Sequence, residues 1–261
     1  MDWEFCTVEK QGRIVNVSFD RGFPANPMSD ALMKELTDVA RWLDEDLETS
    51  VIVLTGRADN FSMGFDLKEG RDPNAGLMQK RRAIQRGPRL CKAWEELEQM
   101  TICAIEGWCV GGGAALATAL DLRVMAEGST MYVSEIERGM NMSWNSVPRF
   151  VNLCGPARAK RVVVMAEKVE AERAKEWGLA DEIAPKGGAV AKAMEMAERI
   201  ASLPPVQVRM CKKDVDTAAK ALNYATSFMD TDQFLLSQTS EDYLEGVNSF
   251  LEKRPPNYTG R

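Results

Sequence analysis

The sequence predicts an α/β fold, with a strand-and-helix core followed by a helical C-terminal region. Three observations carry this. Short runs of Val, Ile and Leu alternate with helical periodicity up to about residue 183. Beyond that point the periodicity is helical alone. Between residues 101 and 120 stands the segment that organises the rest: an apolar strand, a run of three glycines and an Ala/Leu-rich helix.

Taken in order, residues 3–9 and 13–19 alternate apolar and polar about Gln11-Gly12, the pattern of a hairpin. Arg21 to Pro27 holds one glycine and two prolines and reads as a loop. Ser29 or Asp30 suits a helix N-cap, and Leu32, Leu36, Val39, Ala40 and Leu43 then recur at helical spacing. Val51 to Leu54 reads as a buried strand. Gly56 to Gly64 is polar, and Phe61 to Lys68 leads into a charged, mobile stretch ending near Ala75. Residues 77–100 read as a long helix interrupted near Gly87-Pro88. Ile102 to Ile105 is a strand, Gly107 to Gly113 a turn, and Ala114 to Leu120 a helix. Met131 to Ile136 reads as a short strand that carries Glu135. Trp144 to Leu153 and Ala157 to Met165 read as helices separated by Gly155-Pro156. Glu170 to Trp177 reads as a helix stopped by Gly178, and Leu179 to Ile183 as the last strand. Residues 189–202, 205–217 and about 230–252 read as amphipathic helices, with Pro204-Pro205 as a break. The expected division is a core of residues 1–188 and a helical region of residues 189–261.

Composition narrows the chemistry. The chain has 261 residues, 45% of them hydrophobic, enough for a sizeable core. A net charge of −6 and a pI near 5.1 argue against a general nucleic-acid surface. No apolar run approaches the length of a membrane span, and MDWEFCTVEK lacks the basic start and apolar core of a signal peptide. The six cysteines are scattered without a C-x-x-C and read as reduced residues of a cytoplasmic protein. The chain has no histidine. That absence excludes Ser-His-Asp and Cys-His catalysis, histidine-ligated zinc and histidine general bases. Proton transfer must fall to carboxylates, Lys, Tyr, Cys or water.

The glycine run suits one kind of chemistry. Where a helix begins, its first N–H groups have no partner within the helix, and they can hold an anion or a developing negative charge. Glycines there let a ligand approach the backbone. Gly111-Gly112-Gly113 is followed by no Gly-Lys-Ser/Thr and lacks the G-x-G-x-x-G spacing, so neither a P-loop nor a dinucleotide site is indicated. On these grounds alone a tight turn with close helix packing fits equally well.

Four stretches together resemble one family. Phe61-Ser62-Met63-Gly64-Phe65-Asp66-Leu67-Lys68-Glu69 is similar to the F-x-x-G-x-D-L-K-E segment of the crotonase (enoyl-CoA hydratase/isomerase) superfamily. Gly107 to Gly113 resembles its N-G-x-x-x-G-G-G segment, Gly178 to Ile183 its G-L-V-D-E-V, and Phe250 to Arg254 its F-x-E-K-R. They occur in the family's order over nearly the whole chain. The resemblance implies a spiral core of ββα repeats and a C-terminal helical trimerisation unit, assembled as a homotrimer or dimer of trimers. It implies an acyl-CoA thioester as substrate, with no separate cofactor and no metal, and a place in metabolism such as fatty-acid metabolism. It also implies an oxyanion hole made by the N–H groups of Phe65 and Gly112, with Glu135 as general acid/base. Substrate and CoA contacts would fall to Asn26, Met63, Asp66, Leu67, Trp108, Gly111, Met140, Trp144, Phe250 and Lys253.

The departures from the family pattern bear on the reaction. The hydratases carry a first glutamate where this chain has Ala115, so one carboxylate remains. Isomerases of the family work with a single glutamate at the Glu135 position. Hydroxycinnamoyl-CoA hydratase-lyases share Gly-Trp-Cys before the glycines, but they use a serine and a C-terminal tyrosine where Ala115 and Phe228 stand here. Glu106 replaces the usual asparagine, and Met140 to Trp144 replaces a proline-glycine loop. Met63, Trp108, Met140, Met142 and Trp144 offer an apolar wall for a cyclic or aromatic acyl group, or are ordinary core residues. Three readings follow: an enoyl-CoA hydratase or isomerase, a hydratase-lyase acting on an aromatic or cyclic enoyl-CoA, and a catalytically weakened CoA-thioester binder. Glu137, two residues on from Glu135, would share its face on a strand.

Overall fold

Alternation along the strands decides the layers. In the computed structural model, which describes residues 2–69 and 74–261, the strands β1 (Cys6–Gln11), β2 (Ile14–Phe19), β3 (Val51–Thr55), β4 (Met100–Ile105), β6 (Leu122–Ala126) and β9 (Glu182–Ala184) form one sheet in the order β1-β2-β3-β4-β6-β9. The first pair is antiparallel and every later pair parallel. Val15, Val17, Ile52, Leu54, Cys103, Ile105 and Met125 point to one face, and Ile14, Val51, Val53, Ile102, Ala104, Val124 and Ala126 to the other. Successive side chains of a strand face opposite ways, so a strand that is apolar throughout must be covered twice. Parallel neighbours also require crossovers, and helices supply both cover and crossover. Of the charged stretch expected to be mobile, residues 70–73 lie outside the described residues.

The larger core lies under helices α1 (Asp30–Asp44), α3 (Arg86–Glu95) and α4 (Gly112–Ala117). Ser29 is the N-cap of α1, its Oγ accepting from the Leu32 N–H at 3.1 Å. Helix α2 (Leu77–Ile84) precedes α3, and the break between them falls at Gln85, ahead of the predicted Gly87-Pro88. A small sheet stands apart from the first, made of β5 (Trp108–Val110), β7 (Thr130–Tyr132) and β8 (Val169–Glu170). Helices α5 (Val147–Val163), kinked at Gly155, and α6 (Ala171–Trp177), ended by Gly178, complete this part. Strands β5 and β6 were not foreseen, because Trp108 to Val110 read as part of the glycine turn and Leu122 to Ala126 follows the helix too closely to stand out. Strand β9 begins three residues later than expected, since Leu179 and Ala180 are taken up by the turn that follows α6.

Helix α7 (Ala189–Ala201) corrects the predicted division at residue 188. Ala189, Ala193 and Ala197 lie on one stripe, small enough to let the helix settle against the second face of the sheet. Helix α7 is therefore part of the core. Its first turn is tied down by Glu106, whose two carboxylate oxygens accept from the N–H groups of Gly187 at 3.1 Å and Ala189 at 3.0 Å. Glu106 thus serves as a cap.

The remaining chain is helical: α8 (Pro205–Lys220), α9 (Asn223–Ser227), α10 (Asp230–Ser237) and α11 (Glu241–Glu252). The single helix expected over 230–252 is divided, with Ser240 capping α11 through a bond from Tyr243 N–H at 3.1 Å. Helix α8 is fastened to the sheet by Lys212, whose ammonium reaches Gln99 O at 2.8 Å and Asp121 Oδ2 at 2.7 Å. No helix among the described residues is long and apolar enough to cross a membrane.

Removing the Glu106 carboxylate takes the acceptor from the buried Ala189 N–H and from the more exposed Gly187 N–H. Glu106→Ala should therefore cost about 1–3 kcal/mol of stability, read as a lower urea midpoint with an unchanged slope. An unchanged midpoint would show that α7 does not depend on this cap.

Candidate active site

Two chain segments cross at the site. The loop from Ser62 to Asp66 runs between residues 26–28 and the end of β5. Ser62 N–H donates to Trp108 O at 3.0 Å and Val110 N–H to Ser62 O at 2.8 Å, while Met28 N–H donates to Gly64 O and Asp66 N–H to Met28 O. At the crossing Gly64 has φ +87°, and a Cβ there would lie 2.8 Å from Val110 O and 3.3 Å from the Gly112 nitrogen. Only glycine tolerates both the angle and the approach. The crossing brings Gly64, the residue before Phe65, against Gly112. Gly112 opens α4, so its N–H has no acceptor within the helix. The helix is only six residues long, and what it supplies is this individual N–H group.

Glu135 arrives from the other side. The predicted strand carrying it stops at Tyr132, because β5 offers only three residues to pair with before the chain turns into α4. Gly111 N–H takes the Tyr132 carbonyl at 2.8 Å and ends the ladder. Glu135 is consequently helical in conformation (φ −59°, ψ −43°) and starts a single 3-10 turn over Ile136–Arg138. Its Oε1 lies 2.5 Å from where a Cβ of Gly111 would stand, and Gly111 itself has φ +51°. Oε2 is enclosed and receives no hydrogen bond from the protein. The residue as a whole is half-buried; its carboxylate is the enclosed part. Burial pushes the carboxyl pKa up to about 7, against the pull of the Arg138 guanidinium. Glu137 does not share this setting, as a strand would have required. It is exposed and accepts the Tyr132 hydroxyl proton in a hydrogen bond. Ala115 is fully buried in α4 and adds no second acid. Cys109 is the nearest thiol in sequence, and burial raises its pKa far above neutrality, so it is no nucleophile.

The expected binding residues divide. Gly111 and Trp144 meet the Glu135–Gly112 pair. The six-membered ring of Trp144 lies 2.5–3.0 Å from the place of a Gly112 Cβ, and the five-membered-ring side presses on Gly87 in α3. Asp66 pairs with Arg21 at 3.4 Å, and Leu67 is half-buried in the same loop. Met63 is exposed beside it. Asn26 is fully buried. Its Oδ1 accepts from Arg21 N–H at 2.9 Å and its Nδ2 donates to Phe19 O and Phe61 O at 3.2 and 2.9 Å, so the side chain braces loops and is not presented to a ligand. Trp108 lies at the outer side of the small sheet, with Lys168 Nζ 5.7 Å from its ring. Met140 packs with Ile84 and Phe234, and Met142 joins the main core. Of the five residues expected to form one apolar wall, Met142 and Trp144 pack on the same core, whereas Met140 packs with Ile84 and Phe234. Phe250 lies with its ring 4.1 Å from the Arg138 guanidinium, and Lys253 ends α11 as its exposed cap.

Several contributors were not foreseen. Helix α11 lies against the turn after Glu135, so closely that Gly139 and Gly246 have no room for a Cβ. The Tyr258 hydroxyl donates to Glu137 O at 2.6 Å. Trp144 and Asn145 have φ +62° and +55°. They are held by Arg149, which donates to Trp144 O at 2.9 Å, and by Asp230 of α10, which accepts from Asn145 N–H at 2.7 Å. Only Gly87 carried a signal in the sequence, and it read as a helix break.

The chain has known relatives in sequence and in fold. The sequence model described as enoyl-CoA hydratase/isomerase matches residues 9–261. The 2,3-dehydroadipyl-CoA hydratase of Escherichia coli K12 is 27% identical over 97% of this chain and 98% of its own. The crystal structure of an enoyl-CoA hydratase from Bacillus anthracis superposes with a TM-score of 0.78 at 31% identity, covering 99% of this chain and 100% of its own. An enoyl-CoA hydratase from Mycobacterium avium subsp. paratuberculosis superposes with a TM-score of 0.87 over 98% of this chain and 99% of its own, and at 20% identity it speaks to the fold alone.

A buried carboxyl with a raised pKa is linked to stability. The folded state keeps the proton to about pH 7, whereas an unfolded glutamate releases it near 4.5. Stability from this group is thus fully present below about pH 4.5 and is lost as pH rises through 7. Glu135→Gln cannot ionise. It should exceed the wild type by about 1–3 kcal/mol at pH 8, a gap that closes at pH 4.5, as read by urea denaturation. Parallel pH–stability curves for the two proteins would refute the shift.

Proposed function

The chain belongs to the enoyl-CoA hydratase/isomerase family, and on that premise we propose that it moves protons on an enoyl-CoA thioester with Glu135 as its single acid/base. The observation that carries the reading is the Glu135 carboxylate, whose Oε1 lies against Gly111, one residue before the Gly112 N–H, and whose Oε2 is enclosed and unpaired. The thioester oxygen sits between the N–H groups of Phe65 and Gly112. Its charge grows as the thioester becomes an enolate, and donors aimed at that oxygen are each worth about 3–4 kcal/mol of barrier. Glu135 faces the carbons on the other side.

One carboxylate suffices for either reaction of the class. In isomerisation, Glu135 takes a proton from C2 of a 3-enoyl thioester. The electrons pass into the enolate, and the proton returns at C4. In hydration, Glu135 takes a proton from water as its oxygen bonds to C3. The enolate then collects that proton at C2. A carboxyl with a pKa near 7 is balanced to give and accept in turn at neutral pH. Ala115 supports a mechanism with no second carboxylate.

The ends of the substrate and the assembly follow the same reading. Lys253, exposed at the end of α11, pairs with a CoA phosphate, and Phe250 lies beside the nucleotide. The C-terminal helices expose Phe228 and Leu236, while Phe234 is buried within the chain and Leu235 packs beside it, so the apolar face left for a partner is smaller than the sequence alone indicates. That face joins copies into a trimer or a dimer of trimers.

Two outcomes test this. Glu135→Gln should lower turnover on 2-enoyl- and 3-enoyl-CoA substrates by a factor on the order of 10²–10⁴, followed through the conjugated enoyl absorbance, with acyl-CoA affinity retained. Full activity in this variant would remove the acid/base role. Light scattering at micromolar concentration should give three or six times the 29.0 kDa chain mass, and a monomer would remove the proposed assembly.

A further inference from the structure

Trp144 is the part of this site that proton transfer does not use. Its indole spans the space between α3 and α4, one side on Gly87 and the other over Gly112. Both positions are glycine because the ring leaves no room for a Cβ. The ring is held there at a cost. Trp144 and Asn145 both adopt the left-handed backbone region, sparsely populated by residues other than glycine. Such a pair persists only where the surroundings enforce it, and here they do. Arg149 grips the Trp144 carbonyl and is itself clamped to Glu95 by two bonds of 2.9 and 2.7 Å. Asp230 grips the Asn145 N–H. The backbone that carries the ring is thus held from α3, α5 and α10 at once. Two cavities among the described residues, of about 660 and 560 Å³, are lined by neither Glu135, Gly112 nor Trp144.

We propose that Trp144 is the specificity-determining residue that closes the acyl end of the site, so that the thioester it admits carries a short acyl chain of butyryl size. This rests on the acyl-CoA reading above. A carbonyl oxygen at the Gly112 N–H puts the first acyl carbons beside the indole edge. A chain that continues past Gly112 towards α3 meets the ring, which is wedged between Gly87 and Gly112 on a backbone that the Arg149 and Asp230 contacts hold. An octanoyl chain therefore has to leave its far carbons in water and forgo their burial, worth about 0.8 kcal/mol for each CH₂.

The experiment is calorimetric binding of butyryl-CoA and octanoyl-CoA, which needs no turnover, to the wild type, Trp144→Gly and Trp144→Phe. Glycine relaxes the left-handed backbone and empties the space; phenylalanine removes part of the ring and keeps the packing. The wild type should prefer butyryl-CoA. In Trp144→Gly the ratio of affinities should move towards octanoyl-CoA by a factor on the order of 10–100, and in Trp144→Phe by less. A wild-type ratio retained in Trp144→Gly, or in Trp144→Phe where the glycine variant does not fold, overturns the assignment. Failure of every acyl-CoA to bind the wild type overturns the acyl-CoA reading itself, and is told apart from the former by the absence of any heat.

Discussion

The contact between Glu135 and Gly111 constrains everything around it. A carboxylate that is enclosed with one oxygen unpaired is costly to ionise, and its position has to be enforced by what lies against it. Here that neighbour is bare backbone. Any side chain at residue 111 would occupy the place of Oε1, and any residue other than glycine would be strained at φ +51°. The same bareness lets Gly64 pass within van der Waals reach of Val110 and Gly112. The acid and the candidate oxyanion donors are thus brought together by the absence of side chains, on a backbone whose own bonds fix the spacing. Strand β5 ends where it does because Gly111 N–H takes the Tyr132 carbonyl, and that bond also turns the chain towards Glu135.

Around this contact the protein uses strongly paired groups to hold weakly favoured conformations. Arg149 is almost wholly buried, and its two bonds to Glu95 let it carry a charge in the interior. Its remaining bond goes to the carbonyl of Trp144, a residue that would not choose its backbone angles unaided. Replacing Arg149 would leave the half-buried Glu95 with Lys220, at 3.8 Å, in place of a two-bond partner, as well as releasing the loop. Glu106 shows the same economy: a residue that departs from the family pattern in the first position of the glycine segment becomes the cap of the helix behind the sheet.

What was legible in the sequence follows from how local the cause was. The alternation of strands and helices, a cap at Ser29 or Asp30, the stop at Gly178 and the strand–glycine–helix turn are written in periodicity and in residues a few positions apart, and the structure has them, with Ser29 as the cap and with β5 and β6 added. Glu135, Phe65 and Gly112 were singled out through motifs, and the fold sets Glu135 against Gly111, next to Gly112. The strand expected beneath Glu135 was not found, because its length is set by a partner strand of only three residues and not by its own composition. The apolar wall divides for a similar reason. Met and Trp suit a core as well as a pocket, and only tertiary packing sends Met140 to Phe234, Met142 to the main core and Trp108 to the outer side of the small sheet. Asp230 acts on Asn145 across 85 residues, and no spacing announces that.

The clamp of α11 on the turn after Glu135 has a consequence for biosynthesis. Asp242 and Gly246 reach back to Gly139 and Arg138, about a hundred residues upstream, and Tyr258 reaches Glu137. A ribosome adding about 5–20 residues per second emits Glu135 some 5–20 seconds before the helix that seats it. During that interval the sheet and its first helices can form while the acid's turn still lacks its cover. The nascent chain can therefore be a folded scaffold before the turn that carries Glu135 is covered, and the stretch that covers it emerges about a hundred residues later.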